Sequence, residues 1–426
     1  MRGLCATMQA PARNRGRRDG WGDGARALGG GVLATLLTPL LRKLLDRIDA
    51  GLAEGAIDVT LPGGSRRWLG GRSAGPQAIV DIRSWRALWR LATGGSIGWY
   101  EAWQAREWTS PDPVPLFDLF MRNRATLGNA GRAHGVTRLA KRVWHWMRRN
   151  DRDGARRNIA YHYDLGNDFY APWLDASMTY SSALFADPGM TLETAQQAKL
   201  AAILARTGTA PGERILEIGC GWGPFAEVAA RGGRRVHGIT LSTEQKAHVE
   251  ARMAAAALDG VEVSLTDYRD ISGQYDAVAS IEMVEAVGEE YWPAYLGAIS
   301  RALKPGGRAA IQYIAIDDAI FEAYARNVDF IQTYVFPGGM LLSESRFRAI
   351  AAEQGLSWHD QHVFGLDYAE TLKSWHERFN MAVAAGRIPA EFDPHFLDLW
   401  RYYLMYCEGG FRGGGIWVAQ VTLIKD

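Results

Sequence analysis

A glycine-rich loop, residues 219–223, is the first part of the sequence whose composition suggests a chemical use. It directly follows the apolar run 214–218 and precedes a helical segment. Glycines in such a turn allow the backbone to approach a nucleotide-like ligand closely. The third glycine comes one residue too early for a dinucleotide pattern, and Glu217 precedes the loop. A carboxylate here suits a cationic or hydroxyl-rich ligand, so we interpret the loop as an S-adenosylmethionine site. The alternative is a tight turn that binds nothing.

Polar residues occupy the ends of the strands predicted next. Thr240, Leu241 and Gln245 provide a hydroxyl, a backbone group and an amide where the ribose of an adenosine would lie. Tyr268 and Arg269 follow the next strand and are placed to frame the adenine. Each residue is ordinary by itself. Their order after the glycine loop is what favours an adenosine-containing cofactor.

Glu285 follows the fourth strand of this series, at the end of segment 281–285. We favour a catalytic role for this carboxylate over the alternative, in which it caps a helix. The three cysteines, Cys5, Cys220 and Cys407, are too few and too scattered for a disulfide framework, and no Cys/His spacing indicates zinc. We therefore expect a reducing compartment and no metal site.

These candidate residues need a scaffold, and the chain from about residue 191 provides one. Helical segments alternate there with short apolar runs, a pattern typical of a doubly wound α/β sheet. The predicted strands are 214–218, 236–239, 261–265, 277–281, 309–314 and 417–423. In such a sheet the carboxyl ends of the parallel strands carry the binding loops.

The N-terminal quarter has a different pattern. Residues 1–25 are rich in Arg and Gly with few large apolar residues, and we expect a disordered basic tail. Thr38 and Pro39 predict the N-cap and first turn of an amphipathic helix. The segments 56–61 and 77–82 read as strands. We expect a small mixed α+β domain over residues 26–125.

A basic and aromatic linker, residues 126–158, follows that domain, and the methyltransferase-like domain is expected over residues 159–426. The linker is densest in charge and tryptophan at 141–149. Lys and Arg attract anionic headgroups and Trp prefers the interface, so the linker is a candidate membrane-docking patch. The alternative is a solvated helix whose tryptophans pack on the neighbouring domain.

Composition limits the remaining possibilities. The protein has 426 residues, of which 47% are hydrophobic, and a formal net charge of +1. These values predict two or three domains and no general attraction to nucleic acid. The longest uncharged stretch, 27–41, is shorter than the ~20 apolar residues of a membrane-spanning helix, and no signal-peptide pattern precedes it. The chain also lacks the Pro-Pro of the clamp typical of base methylation. We expect a cytoplasmic protein without a nucleic-acid partner.

The sequence resembles the cyclopropane-fatty-acyl-phospholipid synthases and the related mycolic-acid-modifying methyltransferases from about residue 40 onward. The matching segments are 161–169, 178–181, 216–223, 240–245, 267–270, 364–368 and 402–411. The resemblance implies a class I, Rossmann-like methyltransferase fold, S-adenosylmethionine as the methyl donor, and unsaturated phospholipid acyl chains as acceptors. It also implies that the N-terminal domain presents the lipid at a peripheral membrane surface and takes part in forming a homodimer.

The resemblance also assigns expected roles to individual residues. The expected cofactor-binding residues are Tyr180, Ser181, Gly219, Gly221, Gly223, Thr240, Leu241, Gln245, Tyr268 and Arg269. Glu285, Tyr368 and Cys407 match acyl-site residues, although a free cysteine is most often a small buried apolar side chain. The aromatic faces of Tyr368 or Phe169 are expected to stabilise the carbocation that forms when an alkene is methylated.

Three positions depart from the family pattern. Ser182 lies where the family has a cysteine, Gln312 where it has a histidine, and Glu282 where it has a glycine. In the family the proton acceptor is thought to be a bound bicarbonate, held by that cysteine and histidine, a glutamate, a tyrosine and a backbone group. Ser182 and Gln312 still donate hydrogen bonds but do not titrate near neutral pH.

The departures leave three outcomes open. Bicarbonate binds and the methylated chain closes to a cyclopropane, which we favour slightly from the sequence. Alternatively, proton loss elsewhere gives a methyl- or methylene-branched chain. The alternative from another class is a catalytically silent lipid-binding protein, which the retained Glu285, Tyr368 and Cys407 oppose.

Overall fold

The structure is a computed structural model that describes residues 32–128 and 165–426. The expected basic tail, residues 1–25, lies outside the described residues. The expected basic aromatic linker, 126–158, also lies outside the described residues, except for its first three residues. The described residues form two sheets, a small one in the N-terminal part (residues 32–128) and a large one in the C-terminal part (residues 165–426).

The N-terminal part is a small mixed sheet flanked by helices. Its elements are helix α1 (Val32–Gly51), strands β1 (Ala56–Thr60), β2 (Arg66–Gly70) and β3 (Gln77–Ile82), helix α2 (Trp85–Gln104), strand β4 (Trp108–Thr109) and helices α3 (Val114–Arg122) and α4 (Arg124–Leu127). The strand order is β2-β1-β3-β4, and β1 runs parallel to β3. Both strands predicted here are present.

The predicted start of the first helix was wrong. Helix α1 begins at Val32 and continues through Pro39, instead of beginning with Thr38 as its N-cap. The segment before the proline, Val-Leu-Ala-Thr-Leu-Leu, consists mainly of residues that extend the apolar helical spacing upstream. A proline costs one helical hydrogen bond, and the surrounding helix formers offset that cost.

Helix α2 is bent at Gly95, whose φ of 60° and ψ of −139° lie outside the helical region. Glycine adopts this backbone conformation without steric penalty. The two halves of the helix pack closely, because a Cβ on Gly98 would collide with the carbonyl of Arg90. The bend brings Gly94, Gly95 and Ser96 to the wall of a cavity described below.

The C-terminal part is a doubly wound α/β sheet, as the sequence predicted. In order it comprises α5 (Asn167–Tyr170), α6 (Leu192–Thr207), β5 (Arg214–Ile218), α7 (Pro224–Arg231), β6 (Arg235–Thr240), α8 (Thr243–Ala255), β7 (Val261–Leu265), β8 (Tyr275–Ile281), α9 (Trp292–Ala302), β9 (Leu303–Ile316), α10 (Asp318–Ala325), α11 (Phe330–Tyr334), β10 (Leu342–Ser343), α12 (Glu344–Glu353), β11 (Leu356–Val363), α13 (Gly365–Ala384), α14 (Pro394–Arg412) and β12 (Ile416–Lys425). Single 3₁₀ turns cover Tyr268–Asp270, Val284–Ala286 and Glu289–Tyr291.

The strand order of the large sheet is β11-β12-β9-β8-β5-β6-β7, with β10 pairing to β9. Strands β5 to β9 are parallel, and β12 is antiparallel to β9. All six strands predicted from the sequence are present. Strands β10 and β11 were missed, because β10 has two residues and β11 reads Leu-Ser-Trp-His-Asp-Gln-His-Val, which is not an apolar run.

The two parts share one apolar core. Helix α3 packs against α14, where Gly409 and Gly413 leave room for the side chains of Phe117 and Met121. Two ion pairs, Arg106–Asp398 and Arg124–Asp317, join the parts at the surface. The N-terminal part is therefore placed to shape the site of the C-terminal part.

Within residues 32–128 and 165–426, no helix combines the length and apolarity needed to cross a bilayer. The same residues contain no group of three or more His, Cys, Asp or Glu side chains arranged to hold a metal ion.

Candidate active site

The glycine loop connects the ends of two central strands. The backbone amides of Gly219 and Cys220 both donate to the carbonyl of Ile239, over 3.0 and 3.1 Å. Gly219, Gly221 and Gly223 all have positive φ, of 80°, 52° and 80°. A Cβ at Gly219 would also lie 2.8 Å from the side chain of Met283, in the loop after β8. The loop therefore needs glycine both for its backbone conformation and for its contact with the loop after β8.

Glu217, the acidic residue before the loop, is 3% exposed. Its Oε2 atom has no hydrogen-bond partner among the described residues. Burial raises the pKa of this carboxyl to about 8, against smaller opposing effects of the Ala226 backbone amide and of Lys199. The group is protonated at neutral pH, and a cationic ligand nearby would favour its ionised form.

The polar segment after β6 is held by its own hydrogen bonds. Thr240 Oγ1 donates to Gln245 Oε1 over 2.7 Å, and Ser242 Oγ accepts from the Gln245 backbone amide over 3.2 Å, capping α8. Leu241 lies between these residues in the turn. The segment lies at the carboxyl edge of the sheet beside the glycine loop, as the sequence predicted for a ribose site.

Tyr268 and Arg269 form a unit after β7. The Arg269 guanidinium makes two hydrogen bonds of 2.7 Å to the Asp267 carboxylate and lies 5.2 Å from the Tyr268 ring centroid. Asp267 also accepts from the Arg269 backbone amide over 2.9 Å. Both side chains are thus fixed in place, and their expected contact with adenine stays a prediction.

Tyr180 and Ser181 lie on the loop before α6. The Tyr180 hydroxyl is 3.2 Å from that of Tyr403 on α14. The Ser181 hydroxyl accepts a hydrogen bond from the buried Lys199 Nζ, and its carbonyl accepts one from Gln196 over 2.9 Å. The sequence did not single out Lys199, although its position in a stripe of buried residues on α6 was a usable signal.

A cavity of about 480 Å³ opens beside this loop, a size within the range of small-molecule sites, ~300–1,000 Å³. Its walls are mainly apolar and come from both parts of the protein. The N-terminal part contributes Leu91, Gly94, Trp99, Phe117, Phe120, Met121 and Leu127, and the C-terminal part contributes Tyr180, Glu282, Glu285, Ile314, Phe336, Tyr368, Tyr403 and Cys407, among others. Sequence reasoning did not anticipate that the N-terminal part forms one wall.

Glu282 reaches across the polar end of the cavity. One oxygen, Oε1, accepts from the Ser182 backbone amide and from Gln312 Nε2, each over 2.8 Å. Tyr368 faces the same cavity and also favours the charged form of this carboxylate. Gln312 is held in turn by Gln420 Nε2, which donates to its Oε1 over 3.0 Å. One oxygen of the carboxylate is therefore held by two donors that the protein supplies.

Glu285 faces the same cavity from the 3₁₀ turn after β8. Its Oε1 accepts from the Ile314 backbone amide, so it does not cap a helix. Its Oε2 has no hydrogen-bond partner among the described residues. Burial, together with the charge of Glu282, raises the pKa of Glu285 to about 8. Burial also raises the pKa of Glu282, but Lys199, Gln312 and the Ser182 amide oppose that shift. Of the two carboxyl groups, Glu282 is therefore the one with a cationic partner that favours its charged form.

Tyr368 and Cys407 both face the cavity, and their role in an acyl site stays a prediction. The Tyr368 ring lies 4.6 Å from that of Phe411. Burial raises the pKa of the Cys407 thiol, so the group remains a neutral thiol. Phe169 was expected as a second cation-stabilising ring, but it is fully buried in an aromatic cluster and is not among the described residues that line the cavity.

The predicted bicarbonate ligands do not fit a bound anion. The Ser182 hydroxyl donates to the Ala183 carbonyl over 3.0 Å, and the Ser182 amide and the Gln312 amide group both donate to Glu282. The Ile314 amide donates to Glu285. The Ser182 and Gln312 donors expected to hold bicarbonate are therefore already paired within the protein, Gln312 with the Glu282 carboxylate and the Ser182 hydroxyl with a backbone carbonyl.

The doubly wound sheet, with its glycine loop and polar strand ends, defines a class I methyltransferase. Residues 150–421 match the family described as mycolic acid cyclopropane synthetase, and the chain belongs to this family. It is an S-adenosylmethionine-dependent methyltransferase, as the sequence predicted.

Individual relatives agree with the family assignment. The chain is 39% identical over 357 residues to the tuberculostearic acid methyltransferase UfaA1 of Mycobacterium tuberculosis, a match covering 79% of this chain and 81% of that protein. It is 38% identical over 268 residues to the cyclopropane-fatty-acyl-phospholipid synthase of Escherichia coli, covering 62% of this chain and 66% of that protein. The crystal structure of the mycolic acid cyclopropane synthase CmaA1 complexed with SAH and CTAB is 31% identical, with a TM-score of 0.59, and covers 63% of this chain and 98% of its own.

Proposed function

We propose that this protein methylates a carbon–carbon double bond in the acyl chain of an unsaturated phospholipid. One observation carries the proposal: an apolar cavity ends at the carboxyl groups of Glu282 and Glu285, beside the Tyr180 loop. The apolar walls suit an acyl chain. The carboxyl groups provide a proton acceptor next to the double bond that is methylated. The relatives named for fatty-acid and phospholipid modification support the same substrate class.

Each group of the cavity has a part in this chemistry. S-adenosylmethionine supplies an electrophilic methyl group, and the glycine loop, Thr240 and Gln245 are proposed to hold it. An alkene is a poor nucleophile, so the cavity must align it closely; alignment of two reactants is worth ~7–11 kcal/mol. The rings of Tyr180 and Tyr368 face the cavity and stabilise positive charge on the methylated chain through their quadrupoles.

For the product, we prefer a methyl- or methylene-branched chain to the cyclopropane. The Ser182 amide and Gln312 Nε2 are paired with Glu282, so the residues expected to hold bicarbonate are not arranged around that anion. Proton loss to an acceptor other than bicarbonate leaves the carbocation time for a hydride to shift first, which leads to a branch instead of a ring. The match to the tuberculostearic acid methyltransferase, which covers 79% of this chain, supports this preference.

Proton NMR of lipids from an expressing bacterial host tests both levels of the proposal. The ring and methylene-branched products are isomers, so mass does not separate them, but ring methylene protons and vinyl protons resonate apart. Vinyl or methyl-branch signals without ring signals support the branched product, and ring signals support the cyclopropane. A host with the Glu285→Gln variant serves as the low-activity control. Unmodified lipids in the presence of folded, cofactor-binding protein would contradict methyl transfer and favour a silent lipid-binding protein.

We also propose that the protein works at the cytoplasmic surface of a membrane, with the basic aromatic segment 126–158 as its docking patch. Support comes from the sequence of that segment and from the lipid nature of the proposed substrate. Flotation with vesicles of anionic lipid should carry the protein, and flotation should weaken with salt because headgroup attraction is screened. Equal flotation with neutral vesicles at any salt would contradict the charge-based docking.

A further inference from the structure

We propose that the carboxylate of Glu282 is the protein's own proton acceptor and takes the place of a bound bicarbonate. The proposal rests on the proposed function, because it concerns the proton that a methylated acyl chain loses. Its physical basis lies in the hydrogen bonds, the backbone and the charges around Glu282.

The hydrogen bonds show that Glu282 fills an anion site. The Ser182 amide, from the loop before α6, and Gln312 Nε2, from strand β9, converge on Oε1, each over 2.8 Å. Ser182 and Gln312 are fully buried, so neither donor can form a hydrogen bond with bulk water instead. Converging buried donors need an anion or acceptor between them. The protein supplies that acceptor as a side chain, and a second anion would find these donors occupied.

The backbone shows that the side chain at this position is costly to keep. Glu282 has a φ of 48°, in the left-handed region that glycine adopts freely and glutamate does not. Its amide donates to the Gln312 carbonyl over 2.8 Å, which fixes the conformation. A glycine here would relieve the strain. Residues held in such conformations cluster at functional sites. A need for the carboxylate as a proton acceptor would explain why a strained glutamate is kept at this position.

The surrounding charges suit a base. Burial raises the pKa of the Glu282 carboxyl and so strengthens it as a base, while Lys199, fully buried on α6, opposes this shift and favours the ionised form. Glu285, the neighbouring acid, is neutral at neutral pH and so does not compete for the proton. Glu282 is also exposed to the cavity, where the acyl chain is proposed to lie.

In the proposed step, a C–H bond of the transferred methyl group breaks, and its proton passes to a carboxylate oxygen of Glu282. The electron pair of that bond stays on carbon. It forms a new carbon–carbon double bond if a hydride has shifted, or closes the ring if it has not. The positive charge of the chain and the negative charge of Glu282 are both neutralised, and no further reactant is required.

Bicarbonate binding provides a test that does not depend on activity. The full chain and its Glu282→Gly variant are titrated into ¹³C-bicarbonate at neutral pH, and line broadening in the NMR spectrum reports binding. We expect no saturable binding to the wild-type protein. In Glu282→Gly the donors are freed, so we expect saturable binding. Saturable binding of bicarbonate by the wild-type protein would overturn the proposal.

Methyl transfer to vesicles of dioleoyl phosphatidylglycerol provides the second test, in buffer freed of carbon dioxide. We expect wild-type activity to be unchanged by added bicarbonate. Glu282→Gln should lose ~100-fold or more, the size of a general-base contribution, while Glu282→Gly should recover with bicarbonate or formate. Glu353→Gln, an exposed carboxylate, is the matched control. Cofactor affinity and the melting temperature verify that each variant folds.

The outcomes separate the two proposals. A wild-type protein that requires bicarbonate, or a folded Glu282→Gln variant that keeps its activity within ~3-fold, would refute the role of Glu282. A wild-type protein that methylates no unsaturated lipid would refute the proposed function. In that case, the bicarbonate titration alone still decides whether Glu282 occupies the anion site.

Discussion

Lys199 Nζ donates a hydrogen bond of 2.5 Å to Ser181 Oγ, and both side chains are buried. The lysine is therefore attached to the loop that carries Tyr180, and its charge acts on both Glu282 and Glu217. Burial lowers the pKa of Lys199 to about 8, so the ammonium form still dominates at neutral pH. One buried cation thus stabilises the ionised forms of a proposed cofactor-site carboxyl and a proposed catalytic one.

Replacing Lys199 with methionine should shift the pH profile of activity. Without the cation, the pKa of the Glu282 carboxyl rises, and a base is inactive when protonated. The acidic limb of kcat against pH should therefore move to higher pH, with activity at pH 7 reduced by ~10-fold. The melting temperature should stay equal or rise, because an apolar side chain of similar volume avoids desolvating a charge.

The control for this variant is Lys373→Met, which removes an exposed lysine on α13. Its profile should match that of the wild-type protein. Glu285 and Tyr368 also face Glu282, so the Glu285→Gln variant should be profiled in parallel. An unchanged acidic limb in Lys199→Met would show that the lysine has only a structural role.

Cofactor binding should tighten as pH rises towards 8. In the ligand-free protein burial raises the pKa of Glu217 to about 8, and a bound cation favours the ionised carboxylate. Binding then releases a proton, so affinity increases with pH by up to ~10-fold per unit below pH 8 and is constant above it. Titration calorimetry between about pH 6 and pH 9 measures this slope.

The Glu217→Gln variant should show no such slope, whereas Glu285→Gln should retain it. A slope that persists in Glu217→Gln would assign the proton to another group. The raised pKa of Glu217 should also affect the stability of the fold. Because the pKa of this carboxyl in the folded protein lies above its ordinary value of 4.5, Glu217 makes the ligand-free protein less stable as pH rises from 4.5 towards 8. Glu217→Gln should remove this loss.

A side chain at Gly94 should shorten the acyl site. Gly94 lines the cavity at the bend of α2, and a Cβ there would meet no atom within 4 Å. Gly94→Leu adds apolar volume to the cavity, so activity on 18-carbon chains should fall ~10-fold relative to 14-carbon chains. Cofactor affinity should not change. Lipid mixtures analysed by gas chromatography of their fatty acids give the ratio directly.

Gly189→Leu is the matched control, because Gly189 also has open space around it but lies outside the cavity wall. It should leave the chain-length ratio unchanged. An unchanged ratio in the folded Gly94→Leu variant would contradict the proposal that the acyl chain lies against α2.

The pattern of residues along the chain was enough to predict the sheet and to place the residues proposed for the cofactor. The six strands were readable because their apolar runs are local and continuous, and the glycine loop because its backbone angles demand glycine. The positions of Thr240, Gln245 and Glu285 followed, since parallel strands place their carboxyl ends at one edge of the sheet. Strand β11 was not predicted because half of its residues are polar. The start of α1 was predicted at the wrong residue because Pro39 was interpreted as the first residue of the helix.

The arrangement of the proposed acceptor site became visible only in the folded protein. Glu282 meets Ser182 and Gln312, which are 100 and 30 residues away in the chain, and no periodicity in the sequence encodes such a meeting. The wall formed by Leu91 and Phe117 likewise depends on how α3 packs against α14. Both results come from long-range packing and desolvation, which depend on the whole fold, whereas strand and turn propensities depend only on neighbouring residues.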